Sequence, residues 1–473
     1  MKKVVYMMGA GLNQVVRDRD GDSPPLLNNF FNIALKKGKF SDVHYTDHIR
    51  DVYDYIQTNF RKTRDDLAND PFDLEMCFTY LERQIKHAER DGNRTELERL
   101  ANIKFSLESF IAEVLSSFEY FASRSNTLRN LGKVILHENP TIITFNYDCI
   151  MERVLESAHG VRLSVPRAFM EPDSLEETEL PDEVLAYSHC NWNRPLGYGF
   201  KFDEIQLQQA GISKFAKGVR FYSLSQNRLH AKPLLKLHGS LNWFQYRPVR
   251  SSTTRPGETE PMLGEKESEI ILKRGTWWFN RPPDHNGWFI APMIITPVLY
   301  KDEYYDMKPF VDIWELAQRA LSKCAKLVII GYSFSPTDFS TKHLLIESLV
   351  SNDLEELVVV NPDHNTVKIV KELCHFNGGV AWYSSLDDYL QSLSGLVKLE
   401  SAPEEIEEQD LPKDTSPHDV HTKCKTCGID FPVGIRTNPR SFATAQYSGN
   451  VHICPNGHVN SYDKSDYMLK KVN

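Results

Sequence analysis

Short apolar runs recur along the chain, and each stops at a glycine or a polar side chain. Val4–Met8 runs into Gly9-Ala10-Gly11, Thr141–Phe145 into Asn146-Tyr147-Asp148, and Leu234–Leu237 into His238-Gly239. Lys326–Ile330 runs into Gly331-Tyr332-Ser333, Glu356–Val360 into Asn361-Pro362-Asp363, and Val380–Tyr383 is a last run of the kind. Runs of four or five apolar, β-branched residues without polar alternation predict strands covered on both faces. Between them the period turns helical, over Cys149 to about Ala158, Phe339–Val350 (capped by Thr337 or Asp338) and Thr366–Cys374. Strand and helix in alternation predict an α/β fold, a doubly wound (Rossmann-like) parallel sheet.

Two kinds of segment interrupt the alternation. From about 26 to 137 the pattern is mainly helical. Phe72–Glu89 and Glu96–Phe121 carry apolar residues at three- and four-residue spacing (Leu100, Ile103, Leu107, Phe110, Ile111, Val114, Leu115, Phe118). This predicts a helical insertion forming a subdomain or an oligomer surface. Residues 165–230 and 246–290 show no steady period and read as irregular insertions. Arg17–Pro25 reads as a loop. These segments belong to a domain over about 1–400. An acidic, proline-containing linker over 401–420 then leads to a small module over 421–473.

Composition narrows the class. A chain of 473 residues with 41% hydrophobic and 25% charged residues is an ordinary globular one. A net charge of −9 argues against nucleic-acid binding driven by overall charge. No apolar run is long enough to span a bilayer, and Met1-Lys-Lys leads into a strand rather than a signal peptide, so the expected location is cytoplasmic. The eight cysteines agree with a reducing compartment. Cys77, Cys149, Cys190, Cys324 and Cys374 are scattered, whereas Cys424, Cys427 and Cys454 are clustered.

Ligands on doubly wound sheets bind at the carboxyl ends of the strands, and the polar residues above all fall there. Gly9-Ala10-Gly11 allows backbone to approach a pyrophosphate at a helix N-terminus, or is simply a turn. Asn146 and Asp148 either cap the helix that follows or hold ribose hydroxyls and a water; Tyr147 between them is expected to pack into the sheet. His238 is either a hydrogen-bonded strand-end residue or a general base, for which an imidazole is suited near neutral pH. Lys236 is expected to point to the opposite face or to be covered by its stem, without a role.

Gly-Ala-Gly after the first strand, Thr-Phe-Asn-Tyr-Asp, Lys-Leu-His-Gly-Ser with Asn-Trp, and Gly-Tyr-Ser before a helix occur here in one order. Together they resemble the sirtuin-like superfamily, in particular its bacterial branch of NAD-consuming anti-phage effectors. The resemblance covers roughly 1–390 and implies NAD as substrate. It implies roles for Asn146 and Asp148 at the nicotinamide ribose and for His238 as the catalytic histidine. It further implies cofactor contacts at Gly9, Ala10, Gly11, Asn13, Gly331, Tyr332, Ser333 and Asn361. Ile295–Lys301 resembles the Pro…Lys element between histidine and Gly-Tyr-Ser. Asn13 stands where many relatives carry a small hydroxyl residue. Deacylases of the superfamily carry a four-cysteine zinc module between the histidine and the later glycine turn. Here only Cys324 lies between His238 and Gly331.

The expected activity is therefore NAD glycohydrolysis, releasing nicotinamide and ADP-ribose, in a regulated defence effector. The alternatives are an NAD or ADP-ribose sensor without hydrolysis, an NAD-dependent protein deacylase, and an ADP-ribosyltransferase. The resemblance also implies a homo-oligomer, with triggering by assembly, by a partner such as an ATP-driven DNA translocase, or by a phage-derived component.

In the last module Cys424-Lys-Thr-Cys427 and Cys454-Pro-Asn-Gly-His458 give one C-x-x-C and one C-x-x-x-H pair. That spacing predicts a closed, structural zinc site of three thiolates and one imidazole in a zinc-ribbon-like module. His421 and His452 are alternative ligands. A module of about fifty residues needs such a staple.

Overall fold

Six strands pair in parallel in the order Val380–Tyr383, Glu356–Val360, Lys326–Ile330, Val4–Met8, Thr141–Thr144, Leu234–Lys236. The computed structural model describes residues 3–37, 46–159, 197–200, 202, 204–209, 212–217, 233–251, 259–261, 270–272, 288–299, 307–335, 338–350, 352, 354–399, 412–444, 450–462 and 464–471. Side chains of the four inner strands are buried on both faces, as their unbroken apolar runs require. Two sets of helices supply the cover. Asn126–Glu138 packs on Ile150–His159 and Leu386–Ser392; Phe310–Leu321 packs on Phe339–Leu349, which meets Asn365–Leu373. This is the expected doubly wound fold.

Register decides where the strand ends lie. Met8 is paired with Ile330 on one side and Thr144 on the other; Ile330 is paired with Val360, and Thr144 with Lys236. Five ends thus form one row. Strand order reverses between Val4–Met8 and Lys326–Ile330, the switch point at which such sheets open a ligand crevice.

Between the first two strands, helices Phe30–Lys36, Thr46–Phe60, Arg64–Asn69, Leu74–Arg90 and Arg94–Ala122 precede Asn126–Glu138. Leu100, Ile103, Leu107, Phe110, Ile111, Val114 and Phe118 of the longest are buried, as the three- and four-residue spacing predicts. That helix reaches the rim. Its Ala112 packs with Leu241 and Ile294, and Leu115 and Tyr147 pack against them.

The irregular insertions need correction. Glu204–Gln209 pairs antiparallel with Ile212–Lys217 and parallel with Ile270–Leu272. Gly239–Ser251 pairs antiparallel with Thr259–Pro261, Ile270–Leu272 and Trp288–Ile294. A second sheet therefore forms where the pattern suggested loop. Its strands are polar and proline-containing, and their partners lie far off in sequence, so no local period marks them. Thr337, Cys190, Lys301 and most of the linker lie outside the described residues.

In the last module, His418–Lys423 pairs with Asp430–Thr437 and Tyr467–Lys471, and Asn450–Ile453 pairs with Val459–Tyr462. Its core holds Val420, Phe431, Tyr462 and Tyr467.

Candidate active site

At the switch point the first and fourth strand ends interlock. Gly9 N–H donates to the Ile330 carbonyl at 3.0 Å, and Gly11 N–H donates to the Gly331 carbonyl at 2.8 Å. Gly331 has φ +61°, and a Cβ on it would stand 2.2 Å from the Leu12 nitrogen. A Cβ on Gly9 or Gly11 would stand 2.7 Å from the Gly331 carbonyl oxygen. The glycines are thus required by backbone approaching backbone. Ala10–Val15 is a 3-10 segment, not the α-helix expected after the turn, and Ala10 is exposed on the rim.

Four distant stretches meet beside this turn. Asn146 Nδ2 donates to the Gly9 carbonyl at 3.2 Å. Asn13 Nδ2 donates to Asp148 Oδ2 at 2.6 Å, and the Asn13 Oδ1 atom is buried without a hydrogen-bond partner among the described residues. The His238 ring lies 5.2 Å from that of Phe145 and 6.4 Å from that of Tyr147. Phe145 stacks on Tyr332 at 4.3 Å. Asn13, Asn146, Asp148 and His238 are all buried.

Each is held by its surroundings. Asp148 Oδ1 accepts the Ile150 N–H at 3.0 Å, an Asx turn leading into the helix Ile150–His159. Burial pushes the Asp148 carboxyl above its ordinary range, against the pull of Lys236 and of that N–H. The His238 carbonyl accepts from Ile295 N–H at 2.9 Å, and Tyr147 hydroxyl donates to the Ile295 carbonyl at 2.7 Å. Tyr147 therefore ties its loop to the second sheet instead of packing into the first. Gly239 turns the chain at φ +81°.

At the other end of the row, Tyr332 donates its hydroxyl to Asp338, so Asp338 does not cap the following helix with its side chain. Asn361 Nδ2 donates to the Tyr332 carbonyl at 3.1 Å, and its Oδ1 accepts from Asp363 N–H at 2.9 Å. Ser333 is exposed.

Two acids and a lysine were not expected here. Glu119, from the helical insertion, accepts the Cys149 N–H at 3.0 Å, and burial pushes its carboxyl up to about 7. Lys236 is 1% exposed and bonded to Glu152 at 2.8 Å, so it is covered, and its ammonium is paired inside the molecule. Burial pulls the lysine down, but Glu152 and neighbouring acidic groups outweigh it, and its pKa is raised. The available signals were a lysine two residues before His238 and an acid four residues after Asp148, the spacing of one helix face.

In the last module, two hairpin turns present two donors each. Cys424, Cys427, Cys454 and His458 bring their ligand atoms within 4.8 Å of one another. Cys427 and Cys454 sulfurs are 3.8 Å apart, and Cys454 sulfur is 3.5 Å from His458 Nδ1. A tetrahedron with zinc–sulfur bonds of about 2.3 Å has an edge of about 3.8 Å, so this donor set fits a metal. The alternative ligands face elsewhere: His421 bonds Asp430 at 2.8 Å and His452 bonds the Tyr467 hydroxyl at 2.8 Å.

No family model matches the chain, and no curated protein matches it. Among solved structures it is similar to a Sir2 homolog–NAD complex, at 10% identity over 83% of this chain and 88% of that chain, with a TM-score of 0.32. It is also similar to Sir2Tm bound to a propionylated peptide, at 10% identity over 83% of this chain and 92% of that chain, with a TM-score of 0.30. These likenesses are remote and assign neither family nor activity. The class the fold defines is a doubly wound α/β protein with buried polar residues along its switch-point rim.

Proposed function

We propose that the chain is an NAD glycohydrolase, cleaving NAD to nicotinamide and ADP-ribose. The observation that supports this most is that Asn146 and Asp148 lie at one strand end, bonded to the Gly9 carbonyl and to Asn13, while His238 lies at the adjacent strand end with its ring against Phe145 and Tyr147 of the same loop. In this reading NAD lies along the rim with its pyrophosphate at Gly9, Ala10 and Gly11. Its adenosine end is toward Gly331, Tyr332, Ser333 and Asn361. The bond from the ribose anomeric carbon to the nicotinamide nitrogen breaks, and its electron pair neutralises the pyridinium. Water oxygen bonds to the anomeric carbon, and His238 accepts the water proton. Asn13, Asn146 and Asp148 hold the ribose and the water beside the anomeric carbon.

Cys324 is the single cysteine in the sequence between His238 and Gly331, and it is buried beside Asn352; a four-cysteine zinc module cannot be built from that stretch, which disfavours the deacylase reading. Zinc in the C-terminal Cys3His cluster is proposed as structural. Two loops supply all four donors, leaving no open coordination position to call on. The role as a cytoplasmic, homo-oligomeric anti-phage effector, triggered by a translocase-type ATPase or a phage component, rests on the sequence resemblance.

The test is incubation of the purified protein with NAD, alone and with candidate partners, followed by chromatography of the products. Nicotinamide and ADP-ribose in equal amounts are expected, and their loss in His238→Ala. Equal turnover by parent and folded variant would sink the assignment. Transfer of an acyl group from a peptide to ADP-ribose would favour the deacylase, and binding without nicotinamide release the sensor.

A further inference from the structure

Beneath the rim runs a chain of buried polar groups that the proposed chemistry does not use. Lys236 Nζ donates to Glu152 Oε1 at 2.8 Å, to the Asp148 carbonyl at 2.5 Å and to the Tyr147 carbonyl at 3.2 Å. Glu152 Oε1 also accepts from the Tyr198 hydroxyl at 2.8 Å. Asn242 Nδ2 donates to that hydroxyl at 3.0 Å, and Ser240 hydroxyl donates to Asn242 Oδ1 at 2.6 Å. The Lys236 and Glu152 side chains are 1% and 0% exposed.

Stability does not explain such a pair. Taking both charges out of water costs about what their attraction returns, and an apolar pair of the same volume often does as well. Geometry offers a better account. An ammonium has three donors, and two of them here converge on consecutive carbonyls of the loop that carries Asn146 and Asp148. The same lysine sits two residues before His238. One side chain therefore spans the gap between two strand ends that contribute separate parts of the site.

We propose that Lys236 is a positioning residue that fixes the Asn146–Asp148 loop against the strand end bearing His238, with Glu152 keeping the ammonium aimed. The inference rests on the reading of this rim as an NAD site. Charged and titratable groups facing Asp148 are Lys236 from the Leu234–Lys236 strand, Glu152 from the helix after it and Glu119 from the insertion. Lys236 is the cation among them that draws the Asp148 carboxyl down. Its removal moves the acid limb of ligand binding to higher pH, a change that a purely structural role would not produce.

The experiment compares the parent full chain with Lys236→Met, Glu152→Gln and the double variant Lys236→Met/Glu152→Gln. The double variant leaves no unpaired buried charge if Lys236→Met alone does not fold. Calorimetric binding of ADP-ribose is followed across pH, together with kcat and KM for NAD and thermal melting. The double variant is expected to melt as a folded protein and to lose about a hundredfold in kcat, the scale set by an ångström of misplacement. Its acid limb for ADP-ribose moves upward. Glu152→Gln, which retains the lysine's bonds to both carbonyls, loses less. A folded double variant with the parent's kcat and acid limb overturns the positioning role while leaving the NAD reading intact. Loss of the folded state in both lysine variants assigns the pair to stability and overturns it too. A parent that neither binds ADP-ribose nor releases nicotinamide overturns the NAD reading itself, and the positioning role with it.

Discussion

Gly11 and Gly331 touch backbone to backbone: the Gly11 N–H reaches the Gly331 carbonyl at 2.8 Å, and no Cβ fits on either residue. Gly331→Ala is accordingly expected to destabilise the chain. The left-handed conformation alone costs about 1–2 kcal/mol in a residue with a Cβ, and displacement of the Leu12 turn adds to it. Urea unfolding midpoints check this. Gly379→Ala serves as the control, because a Cβ there meets nothing within 4 Å; it should shift stability by no more than about 0.5 kcal/mol.

His238→Ala and Asn146→Ala are each expected to lower the NAD turnover number by about 10²–10⁴-fold. Neither should disturb the sheet, whose ladder does not involve their side chains. Nicotinamide release and far-UV circular dichroism on the same preparations test both halves of the statement. Turnover at the parent rate in both folded variants would remove these residues from the chemistry.

Glu119 predicts a pH dependence. Its carboxyl is raised from an ordinary 4.5 to about 7 by burial, so the folded state holds the proton where the unfolded state has lost it. The stability this group contributes is complete below about 4.5 and is lost as pH rises through about 7. Glu119→Gln keeps an acceptor for the Cys149 N–H and does not ionise. The variant is expected to match the parent near pH 4 and to exceed it at pH 8, by up to about 3 kcal/mol. Denaturant melts at the two pH values measure the difference; equal differences at both would refute it.

One zinc per chain is expected by elemental analysis, and Cys427→Ser should lose it. Among the described residues, Val420, Cys424, Phe431, Cys454, Tyr462 and Tyr467 form the module's buried core, with Ile429, Val433, Phe442 and Leu469 partly buried against it, a small core to hold about fifty residues without a staple. Chelation or the Cys427→Ser change should therefore open residues 412–471 to proteolysis while the Rossmann-like domain stays intact. Resistance of the metal-free module to protease would show that the zinc is dispensable for its fold.

The six parallel strands were legible because each is a short apolar run, and the four inner ones are covered on both faces, a requirement visible in the run itself. Their polar ends were legible for the same reason: Asn146, Asp148, His238 and Gly331 follow directly on the apolar residues. The second sheet was not, since Gly239–Ser251 carries arginine and proline and pairs with Trp288–Ile294 across dozens of residues. The buried pairing of Lys236 with Glu152 was not legible, because a strand-borne lysine normally reaches solvent.

By itself the sequence determined the strand runs, the polar ends they deliver and the Cys-x-x-Cys and Cys-x-x-x-His donor pairs. Each depends on neighbours a few residues away. Tertiary structure alone decided that Lys236 meets Glu152 across 84 positions and that Glu119 of the insertion reaches the Cys149 N–H across 30. It alone brought Asn13 to Asp148 across 135. A buried polar group must find a partner, and nothing within a helical turn or a strand's reach says which distant group will be there when the chain closes over it.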